Sequence, residues 1–185
     1  MKVLMNRKTD CRQALLEAAE RVVTEAGAAH LTLDAVAEKA GVSKGGLLYH
    51  FPSKEALVQG MIARLLELVD ADEARFKAEL GDVPGADLQA YVLAGFEQRP
   101  EQQTITTALL AAGANDPKLL EPVRAWSRRN YEAKVKSKRH PIRAAMVVMA
   151  IDGLWLHELL DTSPLCAKER HQLKDALLEI AKSAV

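Results

Sequence analysis

Apolar residues recur three and four apart through most of the chain, the spacing that lines side chains along one face of an α-helix. The period-2 alternation of a half-buried strand never persists. The pattern predicts an all-α protein of about nine helices. The first expected helix covers about residues 9–26, with Cys11, Leu15, Ala18, Val22 and Ala26 on one face and Gly27 as its stop. Thr32 is a good N-cap for a short helix over 33–40, which Gly41 ends. Ser43 then caps a second short helix from Lys44 to about His50, and Pro52-Ser53 opens a long one with Leu57, Met61, Leu65 and Leu68 facing inward.

A Pro and two Gly within residues 81–85 mark the clearest break. Beyond it the spacing predicts helices over about 86–97, 102–113, 117–138, 141–160 and 167–184, with Pro100, Pro117, Pro141 and Pro164 at or near the junctions. Residues 143–160 are apolar on nearly every face, which suits the centre of a bundle or a segment shared with a partner subunit. Leu173, Leu177, Ile180 and Ala184 give the last helix a narrow apolar seam for a neighbouring helix.

At 185 residues, 49% hydrophobic and 27% charged, the chain is an ordinary globular sequence, and disordered and collagen-like classes are excluded. Its two cysteines, Cys11 and Cys166, fit a reducing compartment that needs no disulfide framework. No secretory h-region and no run of about 20 apolar residues is present, so a cytoplasmic protein without a membrane span is expected. The 25 basic residues cancel the 25 acidic ones. A net charge of zero weighs against nucleic acid as a partner only if charge is spread evenly, and it is not. Residues 1–12 carry a net +3, whereas in 67–101 nine acidic residues face three basic ones. In 122–143 eight basic residues oppose only Glu132. That last stretch reads first as a solvated helix face with Arg128–Glu132 and Glu132–Lys136 as i,i+4 pairs, and alternatively as an anion-binding surface.

Two short helices flanking Gly41-Val42-Ser43 fit a helix-turn-helix, in which a tight turn sets the second helix for entry into the DNA major groove. Ala35, Val36 and Ala40 keep the first helix slim, Gly41 permits the left-handed turn, Val42 fills the angle and Ser43 caps the second helix. The polar start Lys44-Gly45-Gly46 lies where base edges would be reached. Residues 9 to about 60 resemble the DNA-binding domain of the TetR family of bacterial repressors. The resemblance is carried by Leu31-Thr32-Leu33-Asp34-Ala35-Val36-Ala37, by Gly41-Val42-Ser43-Lys44-Gly45, and by the run from Leu47 to Leu57 that contains Tyr49-His50-Phe51-Pro52-Ser53-Lys54.

It implies a homodimer with a DNA-reading head over 1–52 and a ligand-binding and dimerisation body over 53–185. It further implies operator DNA, double-stranded and palindromic, and a small-molecule inducer as partners. Thr32, Ser43, Tyr49, His50 and Lys54 become phosphate-contact candidates, and Lys44 with the Gly45 backbone the base-edge candidate. Leu48 stands where the family often has a tyrosine, and the run from Leu48 to Ser53 is similar to that of multidrug-responsive members. Thr32 and Ser43 would cap helices with or without DNA, and His50 has a packing alternative, but Lys44 and Lys54 have little structural work to do at their positions.

Gly41-Val42-Ser43-Lys44-Gly45 also matches the G-x-S-x-G elbow of serine hydrolases, which requires a strand directly before the serine, and no strand is readable there. No phosphate loop, dinucleotide fingerprint or metal-spaced His/Cys cluster occurs, so neither a cofactor nor a metal is expected and a regulator is preferred to an enzyme. In the second half Asp152 stands in the apolar run from Met146 to Trp155, where a lone carboxylate is costly to bury. It is read either as structural or as the counter-ion of a cationic ligand in an aromatic-lined cavity. Met61, Tyr91, Phe96, Trp126, Met149 and Trp155 are the aromatic and sulfur side chains expected to line that cavity, with Tyr131 also available. The expected inducer is amphipathic and cationic; control of osmolyte or choline uptake is the alternative.

Overall fold

The computed structural model describes residues 2–97 and 100–184, with the side chains of 11–97 and 103–184. Among them the chain forms nine α-helices and no strand. They are α1 (Lys2–Ala26), α2 (Leu33–Ala40), α3 (Lys44–His50), α4 (Lys54–Leu80), α5 (Ala86–Phe96), α6 (Pro100–Asn115), α7 (Glu121–Tyr131), α8 (Pro141–Leu159) and α9 (Ala167–Ser183). Short 3-10 turns occupy Ala28–His30 and Pro117–Leu120. One difference from the sequence pattern is instructive: the single helix expected over 117–138 is a 3-10 turn, then α7, then a π-helical turn over Glu132–Lys136.

Two compact units result, and neither is a single stretch of chain. The first comprises 1–65 with 100–122 and the second 66–99 with 123–185. Helix α4 runs through the division as one helix.

In the first unit Leu15, Leu16, Ala18, Ala19, Val22 and Val23 of α1 are buried with Val36, Ala37, Leu47, Phe51 and Leu57. The apolar stripe thus encloses a small core beneath α2 and α3. Met61 belongs to this unit and is fully buried. Arg64 of α4 meets Glu20 of α1 at 2.9 Å and Glu17 at 3.4 Å.

The second unit buries Leu88, Tyr91 and Val92 of α5, Ala144, Val147, Val148, Ile151 and Leu154 of α8, and Leu177 and Ala181 of α9 in one cluster. Gly85, in the left-handed region at φ 71°, starts α5 against α9: a Cβ there would lie 2.6 Å from the Ala181 carbonyl oxygen. Helix α8 is buried on one side only; Ile142, Met146, Met149, Trp155 and Leu156 stay exposed, as does Leu160 at its C-cap.

Candidate functional site

The helix-turn-helix is built as its residues dictate. Thr32 is extended and its Oγ1 accepts the Ala35 N–H at 3.1 Å, capping α2. Gly41 takes the left-handed conformation at φ 68° and closes that helix. Ser43 Oγ accepts the Gly46 N–H at 3.1 Å and caps α3. Because α2 precedes the turn where a nucleophile elbow needs a strand, and the Ser43 oxygen is engaged as a cap, the hydrolase motif lacks its scaffold.

Leu47 anchors α3 with no exposed surface, which turns Lys44, Gly45, Leu48 and Tyr49 outward. Tyr49 is 70% exposed, and the His50 ring packs edge-on against it, centroids 5.2 Å apart. Lys54 is exposed in the first turn of α4. Thr32, Ser43, Lys44, Gly45, Leu48, Tyr49 and Lys54 are thus exposed, with His50 half-buried. Lys44 departs from the expectation that it lacks a structural role: its ammonium lies 2.9 Å from Asp34 Oδ1 across the turn. Both partners are largely exposed, so the pair is weak and readily exchanged for another anion.

The second unit contains a cavity of about 280 Å³ lined by Tyr91, Trp126, Ser127, Arg128, Asn130, Tyr131, Val148, Met149 and Asp152. Four of the seven candidates, Tyr91, Trp126, Met149 and Asp152, come together here. The other three do not. Met61 packs in the first unit's core, and Phe96 is buried with the Arg170 guanidinium 4.8 Å from its ring centroid. Trp155 lies one turn beyond Asp152, 46% exposed and off the lining.

Asp152 Oδ1 accepts the Tyr91 hydroxyl hydrogen at 2.5 Å, while Oδ2 has no hydrogen-bond partner among the described residues. Partial burial raises the Asp152 carboxyl above the usual carboxylate range, an effect the Tyr91 hydrogen bond opposes. Burial, with Asp152 second, pushes the Tyr91 phenol far up, so it remains a neutral donor.

Behind the wall lies a charge network that the sequence did not disclose. Lys134 is buried, 2.8 Å from Glu73 of α4, bonded to Asn130 Oδ1, and 5.2 Å from the Tyr91 ring centroid. Burial raises the Glu73 carboxyl, and the Lys134 hydrogen bond pulls it back. One turn earlier on α4, Asp70 accepts from Trp126 Nε1 and from Arg129, both at 2.8 Å. The expected Glu132–Lys136 pair forms at 3.7 Å, whereas Arg128 lines the cavity without Glu132. Arg128, Ser127, Asn130 and Val148 are the lining residues that sequence reasoning missed. Their signal was weak: α7 reads as a polar surface helix, and the π-helical turn after it carries Lys134 to Glu73, sixty-one positions away in sequence. A separate hollow of about 340 Å³ in the first unit is lined by Glu17, Glu20, Arg21, Thr24, Glu25 and Ile105 and holds none of the candidates.

Residues 15–61 match the family described as bacterial regulatory proteins, tetR family, and residues 85–182, over half the chain, match the tetracyclin repressor-like C-terminal domain. This chain belongs to the TetR family. It is a DNA-binding, ligand-binding transcriptional regulator of the helix-turn-helix type. Among its TetR relatives is the HTH-type transcriptional regulator BetI of Burkholderia thailandensis, 28% identical over 179 residues, covering 91% of this chain and 92% of BetI. Two solved structures share the fold. One is the multidrug binding protein EbrR complexed with ethidium, with a TM-score of 0.66, 23% identity, and coverage of 92% of this chain and 98% of that one. The other is a transcriptional regulator from Saccharomonospora viridis in complex with choline, with a TM-score of 0.67, 19% identity, and coverage of 92% and 96%. No helix among the described residues of this TetR-family chain is long and apolar enough to cross a membrane.

Proposed function

We propose that this regulator is a cytoplasmic repressor, not an enzyme, that holds a palindromic operator as a homodimer and releases it when a small organic cation enters the second unit. The head, residues 1–52, would read DNA through Lys44 and the Gly45 backbone at base edges. Thr32, Ser43, Tyr49, His50 and Lys54 would take phosphates, with Leu48 packed against the backbone. One seven-residue helix reads few bases, so two heads about one helical turn, roughly 34 Å, apart are required. In support of pairing, Ile142, Met146, Met149, Gly153, Leu156 and Leu160 repeat four and three apart along α8, and the five large apolar residues among them are exposed.

The observation that carries the ligand assignment is Asp152, a carboxylate with one oxygen uncommitted, in a cavity shared with Tyr91, Trp126 and Tyr131. Aromatic faces beside an acid suit an alkylammonium group. A volume of about 280 Å³ lies just below the usual range of small-molecule sites, roughly 300–1,000 Å³, which favours a choline-sized cation over a drug-sized amphipath. The choline complex of the Saccharomonospora viridis regulator and the ethidium complex of EbrR are consistent with this class. The test is a mobility shift on DNA from upstream of the protein's own gene, with choline and ethidium titrated into the complex. Binding that weakens steeply with salt and is reversed by choline is expected. Release by neutral or anionic compounds only would overturn the cation assignment.

A further inference from the structure

The cavity is not lined by one sign of charge. Arg128 contributes to its wall together with Asp152, the first from α7 and the second from α8. Its neighbour Arg129 is committed to Asp70 at 2.8 Å, but Arg128 has no ion-pair or hydrogen-bond partner among the described residues. The residue four positions on, Glu132, would ordinarily take it in an α-helix. Here Glu132 begins the π-helical turn and pairs with Lys136 instead, and Arg128 is left uncompensated beside the cavity. Arg128 is solvent-exposed where it lines the cavity, so its unpaired charge weakens the binding of a simple cation by screened like-charge repulsion. It is an asset only if the ligand brings an anion as well, because a guanidinium fork matches carboxylate and phosphate oxygens.

Resting on the cation assignment above, the geometry points to a zwitterionic ligand, an alkylammonium group against Asp152 and the aromatic rings with an acidic group against Arg128. Asn130 does not compete for the acid, since its amide nitrogen donates to the Trp126 carbonyl at 3.1 Å and its oxygen accepts from Lys134. Ser127 supplies a further hydroxyl to the lining.

The test is titration calorimetry of the full-length protein with choline, glycine betaine, carnitine and phosphocholine as probes, on wild type, Arg128→Gln, Arg129→Gln and Asp152→Asn. At least one zwitterion is expected to bind about tenfold or more tighter than choline, with the carboxylate and phosphate arms reporting which acid fits. Arg128→Gln should erase that preference while choline affinity holds or rises. Arg129→Gln removes the same charge from a residue already paired with Asp70 and should keep it. Asp152→Asn should weaken choline and zwitterion alike. If choline binds as tightly as every zwitterion, or if Arg128→Gln leaves the ratio unchanged, the zwitterion assignment is overturned while the cation assignment stands. If no probe binds, both are overturned.

Discussion

Replacing Lys134 with methionine isolates the energetics of the charge network behind the cavity. Both partners are buried, with side-chain exposures of 7% for Lys134 and 14% for Glu73, so the substitution leaves Glu73 in a poorly solvated site without its counter-ion. Removing one member of a buried pair costs about 3–5 kcal/mol. The loss has a ceiling, because Glu73 can take up a proton. Keeping a carboxyl of ordinary pKa about 4.3 neutral at pH 7 costs about 1.36 kcal/mol per unit, or about 3.7 kcal/mol. The lost hydrogen bond to Asn130 adds roughly 1 kcal/mol. At pH 5 the protonation cost falls to about 1 kcal/mol. Glu73 is already raised in the folded protein, and a raised carboxyl is penalised as pH climbs through its folded value, so Lys134→Met should recover stability toward acid.

At 2–4 °C per kcal/mol for a chain of this size, the expected drop is about 8–19 °C at pH 7 and less than half of that at pH 5. Thermal unfolding followed by circular dichroism, at one fixed protomer concentration, measures it. The double variant Glu73→Leu/Lys134→Met removes the stranded charge and should regain most of the loss. A loss under about 1 kcal/mol at pH 7, a loss independent of pH, or a double variant no better than the single would refute the account.

Three further outcomes are expected. Choline affinity should fall as pH drops through the raised Asp152 carboxyl, up to about tenfold per unit, because the cation needs the charged form; Asp152→Asn should flatten the profile and Glu73→Gln should not. Gly85→Ala should destabilise more than Gly41→Ala in thermal unfolding: both glycines have positive φ, but a Cβ at 85 meets the Ala181 carbonyl at 2.6 Å whereas one at 41 meets nothing within 4 Å. In a mobility shift across a salt series, Lys54→Ala should lower the salt slope by about one per head with little change in sequence preference, while Lys44→Ala should relax it, at about 1–3 kcal/mol for its base pair.

What was legible in the sequence is what local chemistry decides. Thr32 with Gly41 and Ser43 with Phe51 bound α2 and α3 because caps and left-handed glycines act within a few residues. The break at residues 81–85 was readable for the same reason. The stripe on α4 was not divisible by inspection: Met61 and Leu68 repeat on one face of one helix, yet Met61 is sealed in the first unit's core and Leu68 belongs to the second. The cavity was half legible. Asp152 stood out because a carboxylate is costly in an apolar run, and Tyr91 answers it across 61 positions. The rest of the wall comes from α7 and α8 brought beside α5 by tertiary packing, with Lys134 reaching Glu73 on another helix, and no local pattern encodes such contacts.

The charge blocks show how the same limit misled the reading of composition. The basic stretch 122–143 is a solvated face in part, with Arg124, Arg128, Arg129, Lys136, Arg139 and Arg143 exposed, but Lys134 and Lys138 turn inward to acidic residues of the second unit. Arg129 meets Asp70, Lys134 meets Glu73, and Lys138 meets Asp87 at 2.5 Å. Burial tends to raise Asp87, but the Lys138 hydrogen bond and charge prevail and hold its carboxyl below the ordinary range. Pairing of this kind neutralises Asp70, Glu73 and Asp87 beside the cavity and makes the exceptions informative. Arg128 and the free oxygen of Asp152 are the charges in the cavity wall that the network leaves unbalanced. A net charge of zero is therefore compatible with DNA binding and with ligand selectivity alike. Neither depends on the total, only on a few positioned groups that internal pairing leaves free or, like Lys44 with exposed Asp34, holds weakly.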